Sequence, residues 1–180
     1  MQATPEPSYP TIVGVYRQRY DTMATIDYGE RLRKYAKNEL HDSIEGLDWK
    51  QLLEWEHRHL QYMKGELPRS RAELPIDIIL QTKGRCGEFA LLFNGLVLAN
   101  KYKSRIVIDC SELKDNSRSA AGDHVWNEIL VNEKWLHVDP TDRRIDQPGM
   151  YVREWNKDVN AVFAIEENEI LDVTDKYARG

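Results

Sequence analysis

The stretch Thr82–Val97, TKGRCGEFALLFNGLV, places one of the two cysteines of this chain between two glycines and directly ahead of an apolar run. After Cys86 the apolar residues occupy nearly every side of a helix, which indicates a helix buried all round. A cysteine in the first turn of such a helix meets exposed N–H groups and the positive end of the helix dipole, and both stabilise a thiolate. Gly84 and Gly87 would permit a strained turn there. The stretch predicts a central helix that carries a nucleophile, with a small core cysteine as the alternative.

The composition is typical of a soluble single domain. The chain has 180 residues, 41% hydrophobic and 31% charged, and a formal charge of -5, which offers no basic surface for nucleic acid. The N-terminus lacks the basic and apolar regions of a signal peptide, and no stretch is long enough to span a bilayer. These features predict a cytoplasmic protein without a membrane or nucleic-acid partner. We expect an N-terminal arm and lead-in over 1–24 and one catalytic domain over 25–180.

Apolar spacing predicts helices in the first half of the chain and strands in the second. One helix is expected over 25–41 and another over 47–65, where Asp48 and Gln51 have capping-box spacing and Gly65 ends the helix. Residues 66–80 suit a linker leading to a turn or short helix. Beyond the central helix the period changes to two, which predicts antiparallel strands over 104–109, 123–131, 134–140 and 160–177, the last as two strands around a turn. A long polar loop is expected over 109–123. The order predicts an α+β fold.

His124 and Asp139 are the candidates to activate Cys86, and strand register provides a test. If the turn between their strands contains an even number of residues, Trp126 lies opposite Asp139, and His124 and Asp139 become diagonal neighbours on one face. A three-residue turn without a bulge would put them on opposite faces. In the favourable register Asp139 holds the tautomer of His124, and His124 takes the proton of Cys86. The alternatives are an ordinary strand histidine and an Asp-Pro turn.

Four motifs resemble a known family. GRCGEFA, DHVWNEI, WLHVDP and the tail RRIDQPGMYVREWNKDVNAVFAIEENEILDVTDKY are similar to the transglutaminase-like core of cytoplasmic peptide:N-glycanases, over roughly Leu80 to Tyr177. The family patterns are GRCGEWA, DHVW-E, WLH-DP and D-P-LYE-GW-K-LSYVIAFS-DEV-DVTWRY. The resemblance implies a transglutaminase-like, papain-like core in which Cys86, His124 and Asp139 form the catalytic triad.

The sequence also departs from that family. Eukaryotic members carry a zinc site built from two CxxC pairs before the catalytic cysteine, and this chain has no cysteine there, so neither that zinc nor another cofactor is expected. The tryptophan of the family's GRCGEW motif is Phe89 here. His57 and His59 are expected on a solvated helix face, and Cys110 is expected to be a structural thiol.

The reaction implied by the resemblance is attack of the Cys86 thiolate on a carboxamide, followed by hydrolysis of the thioester. In a glycanase that amide belongs to a glycosylated asparagine, so the expected partner is a protein or peptide, such as an unfolded N-glycoprotein. The Cys86 N–H is the first candidate oxyanion donor, and the Gln81 side chain is a second unless it is only a polar turn residue. Glu88 and Trp126 flank the triad and are candidates to shape the cleft, although Trp126 fits the core equally well.

Two other classes of function stay open at this point. The same thioester chemistry serves a cysteine protease, an isopeptidase or a protein-glutamine transferase. Some DNA-repair proteins resemble this core without the triad and bind DNA. A complete triad in an acidic chain favours an enzyme over such a binding module.

Overall fold

The computed structural model describes residues 26–64, 75–110, 124–154, 161–166 and 169–179. The helices are α1 (Ile26–Asn38), α2 (Trp49–His59), α3 (Pro75–Gln81), α4 (Cys86–Ala99), α5 (Met150–Arg153) and α6 (Thr174–Ala178). The strands are β1 (Gln61–Tyr62), β2 (Lys83–Gly84), β3 (Ser104–Asp109), β4 (Val125–Val131), β5 (Lys134–Asp139), β6 (Arg144–Ile145), β7 (Val162–Glu166) and β8 (Glu169–Asp172). The predicted N-terminal arm, nearly all of the polar loop and most of the linker lie outside the described residues. Within those residues, no helix combines the length and the apolar character needed to cross a bilayer.

Helix α2 begins as predicted and ends early. The Asp48 side chain accepts from the Gln51 N–H while the Gln51 side chain accepts from the Asp48 N–H, each at 2.9 Å, which completes the capping box. The predicted end at Gly65 is wrong, because Leu60 is already extended and the next two residues form β1 parallel to β2. The Gln61 N–H donates to the Thr82 carbonyl, so pairing with a distant strand replaces the last helical turn.

Helix α4 is the centre of the molecule, as its sequence predicts. Every residue of it except Cys86 and Leu98 is buried. Helices α1, α2 and α3 pack on one side of it, and strands β3 and β4 pack on the other. The helix N-terminus, with Cys86, is thereby held against the start of β4.

The main sheet is antiparallel in the order β6-β5-β4-β3-β7-β8. Strands β4 and β5 are joined by the two-residue turn Asn132–Glu133, whose φ values of 50° and 63° fit the turn that suits the twist of a hairpin. Leu130 pairs with Trp135 and Asn127 with Val138, so the even-turn register is confirmed. The C-terminal strands are also confirmed up to Asp172, but the segment after it forms α6 rather than more strand.

The two faces of the sheet carry separate cores. Helix α4 covers one face, and α5 and α6 lie against the other. The core of the second face consists of Val107, Trp126, Met150, Tyr151, Val162, Ala164 and Tyr177.

Within this second face the buried Glu128 carboxylate accepts from Arg105 Nε at 2.7 Å and from the Tyr177 hydroxyl at 2.6 Å. Lys176 adds a third donor, so α6 is anchored to the sheet by charge-assisted bonds.

Glu56 is a buried carboxyl group between α2 and α4. Its side chain is fully buried, and within the described part of the chain neither carboxylate oxygen has a hydrogen-bond partner of ordinary geometry. Burial raises the pKa of Glu56 well above its ordinary value, and the nearby backbone of Phe93 offsets this only in part. The group is therefore protonated in the folded protein at a pH where it is ionised in the unfolded chain.

We expect Glu56→Met to stabilise the protein at pH 7 by about 1–3 kcal/mol, because it removes an unsatisfied buried polar group and keeps the volume. Since the unfolded Glu56 loses its proton first, the wild-type free energy of unfolding falls as pH rises above the ordinary value of 4.5, and the gain from the variant grows with it. Urea unfolding at pH 4, 6 and 8 measures this. Glu54→Met on the exposed face of α2 is the control, and an equal pH dependence in both variants would contradict the account.

Candidate active site

Register and strand ends bring His124 and Asp139 together. His124 directly precedes β4 and Asp139 is the last residue of β5, so the two stand diagonally on the same face of the hairpin. His124 Nε2 and Asp139 Oδ2 are 2.6 Å apart, and both side chains are buried. The carboxylate therefore holds Nε2 as the protonated nitrogen and leaves Nδ1 for another partner.

That partner is Cys86, which the start of α4 presents to the same place. The pKa of the Cys86 thiol responds first to burial, which raises it. The hydrogen bond and the positive charge of His124, together with the Val125 backbone N–H, lower the pKa by more than burial raises it. The net effect is a thiol pKa below its ordinary value, which favours the thiolate.

His124 shows the complementary change. Burial lowers the pKa of His124, but the charge of Asp139 and the hydrogen bonds to Asp139 and Cys86 outweigh burial and raise the pKa to about 10. A cationic imidazole and an anionic thiolate at this site therefore stabilise each other. This arrangement can attack an electrophilic carbonyl with sulfur and deliver a proton from nitrogen.

Asp139 is ionised although it is fully buried. Besides His124, it accepts from the Tyr151 hydroxyl at Oδ2, at 2.9 Å, and from the Thr141 N–H at Oδ1, at 3.1 Å. Burial raises the pKa of Asp139, while the charge and hydrogen bond of His124 and the hydrogen bond of Tyr151 lower it below its ordinary value. Three donors thus replace the water that the carboxylate has lost.

The turn before the nucleophile is shaped differently from the prediction. Gly84 and Gly87 do not adopt the left-handed conformation that a strained glycine turn would require; Thr82 does, with φ of 61°. Such a φ is rare for a β-branched residue. Gly84 is needed for space, because Glu88 packs directly over it. The Glu88 carboxylate accepts from the Arg85 N–H at 2.8 Å and so caps the helix that begins at Cys86.

Gly84→Ala is expected to misplace the nucleophile. The new Cβ would lie 2.4 Å from the Cβ of Glu88, which cannot swing away as a side-chain tip could. We expect a loss of about 1–3 kcal/mol in stability and about tenfold slower alkylation of Cys86. Gly46→Ala is the control: it strains a φ of 76° in open space, so it should cost stability without slowing alkylation. Equal alkylation rates in the two variants would contradict this role of Gly84.

The other predicted site residues occupy distinct places. Gln81 ends α3 and donates its amide to the Lys83 carbonyl at 2.7 Å, and its role toward an oxyanion stays a prediction. Trp126 is fully buried and stacks on both His124 and Tyr151, with ring centroids 5.5 and 4.4 Å away, and those two rings are 5.5 Å from each other, so Trp126 backs the imidazole as part of the core. Cys110 is buried directly after β3, and the two cysteines are not joined in a disulfide.

Three contributors to the site escaped sequence reasoning. His57 was expected in solvent, but it is half-buried and its Nε2 donates to the Pro140 carbonyl at 2.6 Å, which ties α2 to the turn after Asp139. His137 lies two residues before Asp139 and therefore on the same face of the strand. The alternation of side chains along a strand could have predicted this placement from the sequence. Tyr151 comes from α5, beyond a loop, and no local pattern predicts its contact.

Among the described residues, no group of three or more His, Cys, Asp or Glu side chains is arranged to hold a metal ion. The side chains of Cys86, His124 and Asp139 can together supply a nucleophile, an acid and a base.

Comparison with known proteins identifies a family. A family model described as the transglutaminase-like superfamily matches residues 30–140, a range that contains Cys86, His124 and Asp139. Proteins named peptide-N(4)-(N-acetyl-beta-glucosaminyl)asparagine amidase are similar: 34% identical over 107 residues in Arabidopsis thaliana, and 36% over 102 residues in both Caenorhabditis elegans and Drosophila melanogaster. The matches cover 58%, 55% and 56% of this chain but only 13%, 15% and 14% of those relatives.

A solved structure shares the fold. The Rad4-Rad23 complex bound to a 6-4 photoproduct UV lesion contains a chain that matches 95% of this one with a TM-score of 0.63, over 47% of its own length. The sequence identity is 15%, so this likeness concerns the fold alone. The site residues of the present chain must therefore be interpreted from their own chemistry.

Proposed function

Since this chain belongs to the transglutaminase-like superfamily, we propose that it is a cysteine-dependent amidase that hydrolyses the glycosylated side-chain amide of asparagine in N-glycopeptides or unfolded N-glycoproteins. The observation that carries the proposal is the buried His124–Asp139 pair at 2.6 Å, in which His124 also hydrogen-bonds the Cys86 thiol and lowers its pKa. The similarity to curated amidases supports the choice of substrate. The chain spans about one seventh of those relatives, so the activity is proposed for this segment itself.

In the first half of the reaction, the Cys86 sulfur attacks the carbonyl carbon of the amide. Negative charge develops on the carbonyl oxygen, and we assign its stabilisation to the backbone N–H of Cys86, which lies in the first turn of a helix, where the dipole favours negative charge. His124 donates its Nδ1 proton to the amide nitrogen as the C–N bond breaks. The glycosylamine leaves, and the asparagine-derived acyl group remains on sulfur as a thioester.

In the second half, water cleaves the thioester. Neutral His124 takes a proton from the water through Nδ1, the resulting oxygen attacks the carbonyl carbon, and the C–S bond breaks. The products are the Cys86 thiolate, paired again with protonated His124, and an aspartic acid side chain, which releases its remaining proton to solvent and becomes aspartate. Asp139 stays ionised throughout and stabilises the imidazolium in each half.

The test is mass spectrometry of a defined N-glycopeptide after incubation with the protein. We expect release of the glycan and conversion of the carrier asparagine to aspartate. The same peptide without its glycan is the matched substrate control, because it presents the asparagine amide with ammonia as the leaving group.

Other products would overturn the proposal and identify the reaction that replaces it. Cleavage of the peptide backbone would indicate a protease, and incorporation of an added amine into a glutamine peptide would indicate a transferase. An intact glycopeptide, with native and denatured glycoprotein also unchanged, would exclude the proposed activity for this segment.

A further inference from the structure

Behind Asp139 lies a short chain of buried hydrogen bonds that the triad itself does not include. His137 Nε2 and the Tyr151 hydroxyl are 2.7 Å apart, and the Tyr151 hydroxyl is 2.9 Å from Asp139 Oδ2. His137 and Asp139 have no exposed surface, and Tyr151 has 1% of its surface exposed. Asp139 links this group to His124 through Nε2, the ring nitrogen that does not face the reacting atoms.

The direction of these bonds is fixed by one backbone group. The Gln147 N–H lies 3.2 Å from His137 Nδ1 and can only donate, so Nδ1 is the acceptor nitrogen. The proton of neutral His137 is therefore on Nε2, which donates to the Tyr151 oxygen. The single hydroxyl proton of Tyr151 must then point to Asp139 Oδ2, the same oxygen that binds His124.

We propose that Tyr151 and His137 are positioning residues, which hold one oxygen of Asp139 by a directed chain of hydrogen bonds and thereby fix the ring of His124 against Cys86. The catalytic part of this inference rests on the proposed amidase function, whereas its effect on the thiol of Cys86 does not. A positioning role of this kind resembles the outer partners that orient ligating histidines in metal sites.

The electrostatics of the cluster keep the direction of these hydrogen bonds, from His137 through Tyr151 to Asp139, unchanged over a wide pH range. Burial lowers the pKa of His137 to about 4, and burial raises the pKa of Tyr151 well above its ordinary value, so both groups stay neutral at physiological pH. The charged and titratable groups that face these two side chains are His124, Glu128, Asp139, Asp142, Lys176 and Tyr177. Glu128 and Lys176 form an ion pair with each other and do not interrupt the hydrogen bonds between His137, Tyr151 and Asp139.

The test compares Tyr151→Phe with Tyr177→Phe. Each variant keeps a buried ring beside Trp126 and removes one hydroxyl that donates to a buried carboxylate, Asp139 in the first case and Glu128 in the second. The readout is the rate of Cys86 alkylation by iodoacetamide from pH 4 to 10, which needs no substrate. We expect Tyr151→Phe to move the acid inflection upward, so that alkylation at pH 5 is about tenfold slower. Tyr177→Phe should follow the wild-type profile.

Coincidence of the Tyr151→Phe and wild-type profiles would overturn the inference, as would an equal shift in Tyr177→Phe. If Tyr151→Phe does not fold, His137→Gln replaces it in the test, because this variant keeps the Tyr151 hydroxyl but removes the imidazole that donates to it. We expect a smaller upward shift of the acid inflection in His137→Gln. An unchanged inflection in that variant would overturn the inference. On a glycopeptide, Tyr151→Phe should lower kcat about tenfold with KM unchanged. A wild-type protein that is inactive on glycopeptides but shows the alkylation shift would refute the proposed function and leave this inference standing.

Discussion

Cys86→Ala is expected to remove amidase activity, with a fall in kcat on the order of 10⁵ or more. The loss is this large because, among the residues that the structure describes, the neighbouring carboxylates are not available to form the acyl intermediate: Asp139 is buried behind His124, and Glu88 is committed to the Arg85 N–H. The measurement is the rate of aspartate formation in a glycopeptide. The fold should be retained, because Cys86 is only partly buried and alanine fits at the first position of a helix.

Cys110→Ala is the matched control for that variant. It removes the other cysteine, which is buried in the main core behind β3, and should leave kcat unchanged. Equal activity in the Cys86→Ala variant and the wild type would show that the nucleophile lies elsewhere. Equal losses in both cysteine variants would indicate a general effect on the fold.

His124→Ala is expected to lower kcat by about 10⁴ and to change the pH dependence of Cys86. The imidazole supplies both the general acid and the positive charge that depresses the thiol pKa. Without it, burial remains as the main effect on the thiol, and burial raises the pKa. The inflection for alkylation of Cys86 should therefore rise to about 8.5 or above, the ordinary range of a thiol.

The direction in which the Cys86 pKa shifts distinguishes an ion pair between Cys86 and His124 from a contact between neutral groups. Since the pKa of His124 is raised to about 10, the imidazole keeps its second proton at neutral pH in the wild type, and on the alkaline side activity should fall as the imidazolium loses that proton. His59→Ala is the control, because His59 pairs with Asp42 at 2.8 Å outside the site. An unchanged alkylation profile in His124→Ala would contradict the proposed activation of Cys86.

The sequence could predict the contact between His124 and Asp139, on condition of an even turn, because that geometry depends on local rules. An even two-residue turn sets the register of β4 and β5, and the period of two then puts His124 and Asp139 on one face. The apolar run after Cys86 likewise predicts a buried helix from composition alone. Both inferences need only spacing along the chain.

The features that sequence reasoning missed depend on tertiary contacts. Helix α2 ends before Leu60 because the residues after it, β1, pair with β2, which is more than twenty residues away in the sequence. The apolar spacing of a helix contains no information about that pairing. The strain at Thr82 replaces the expected glycine turn because α3 runs into β2 without a longer connection. His57 and Tyr151 reach the site from α2 and α5, through contacts with Pro140 and Asp139 that are distant in the sequence.

Ultraviolet titration of the Cys86 thiolate tests most directly whether this site is a poised thiolate–imidazolium pair. The thiolate absorbance of the wild type, less that of Cys86→Ala, is followed from pH 3 to 11. We expect the inflection of the difference signal to lie below the ordinary thiol value of about 8.5. A difference signal that is absent at pH 7 and appears only at or above that value would contradict an activated nucleophile, and with it the amidase mechanism.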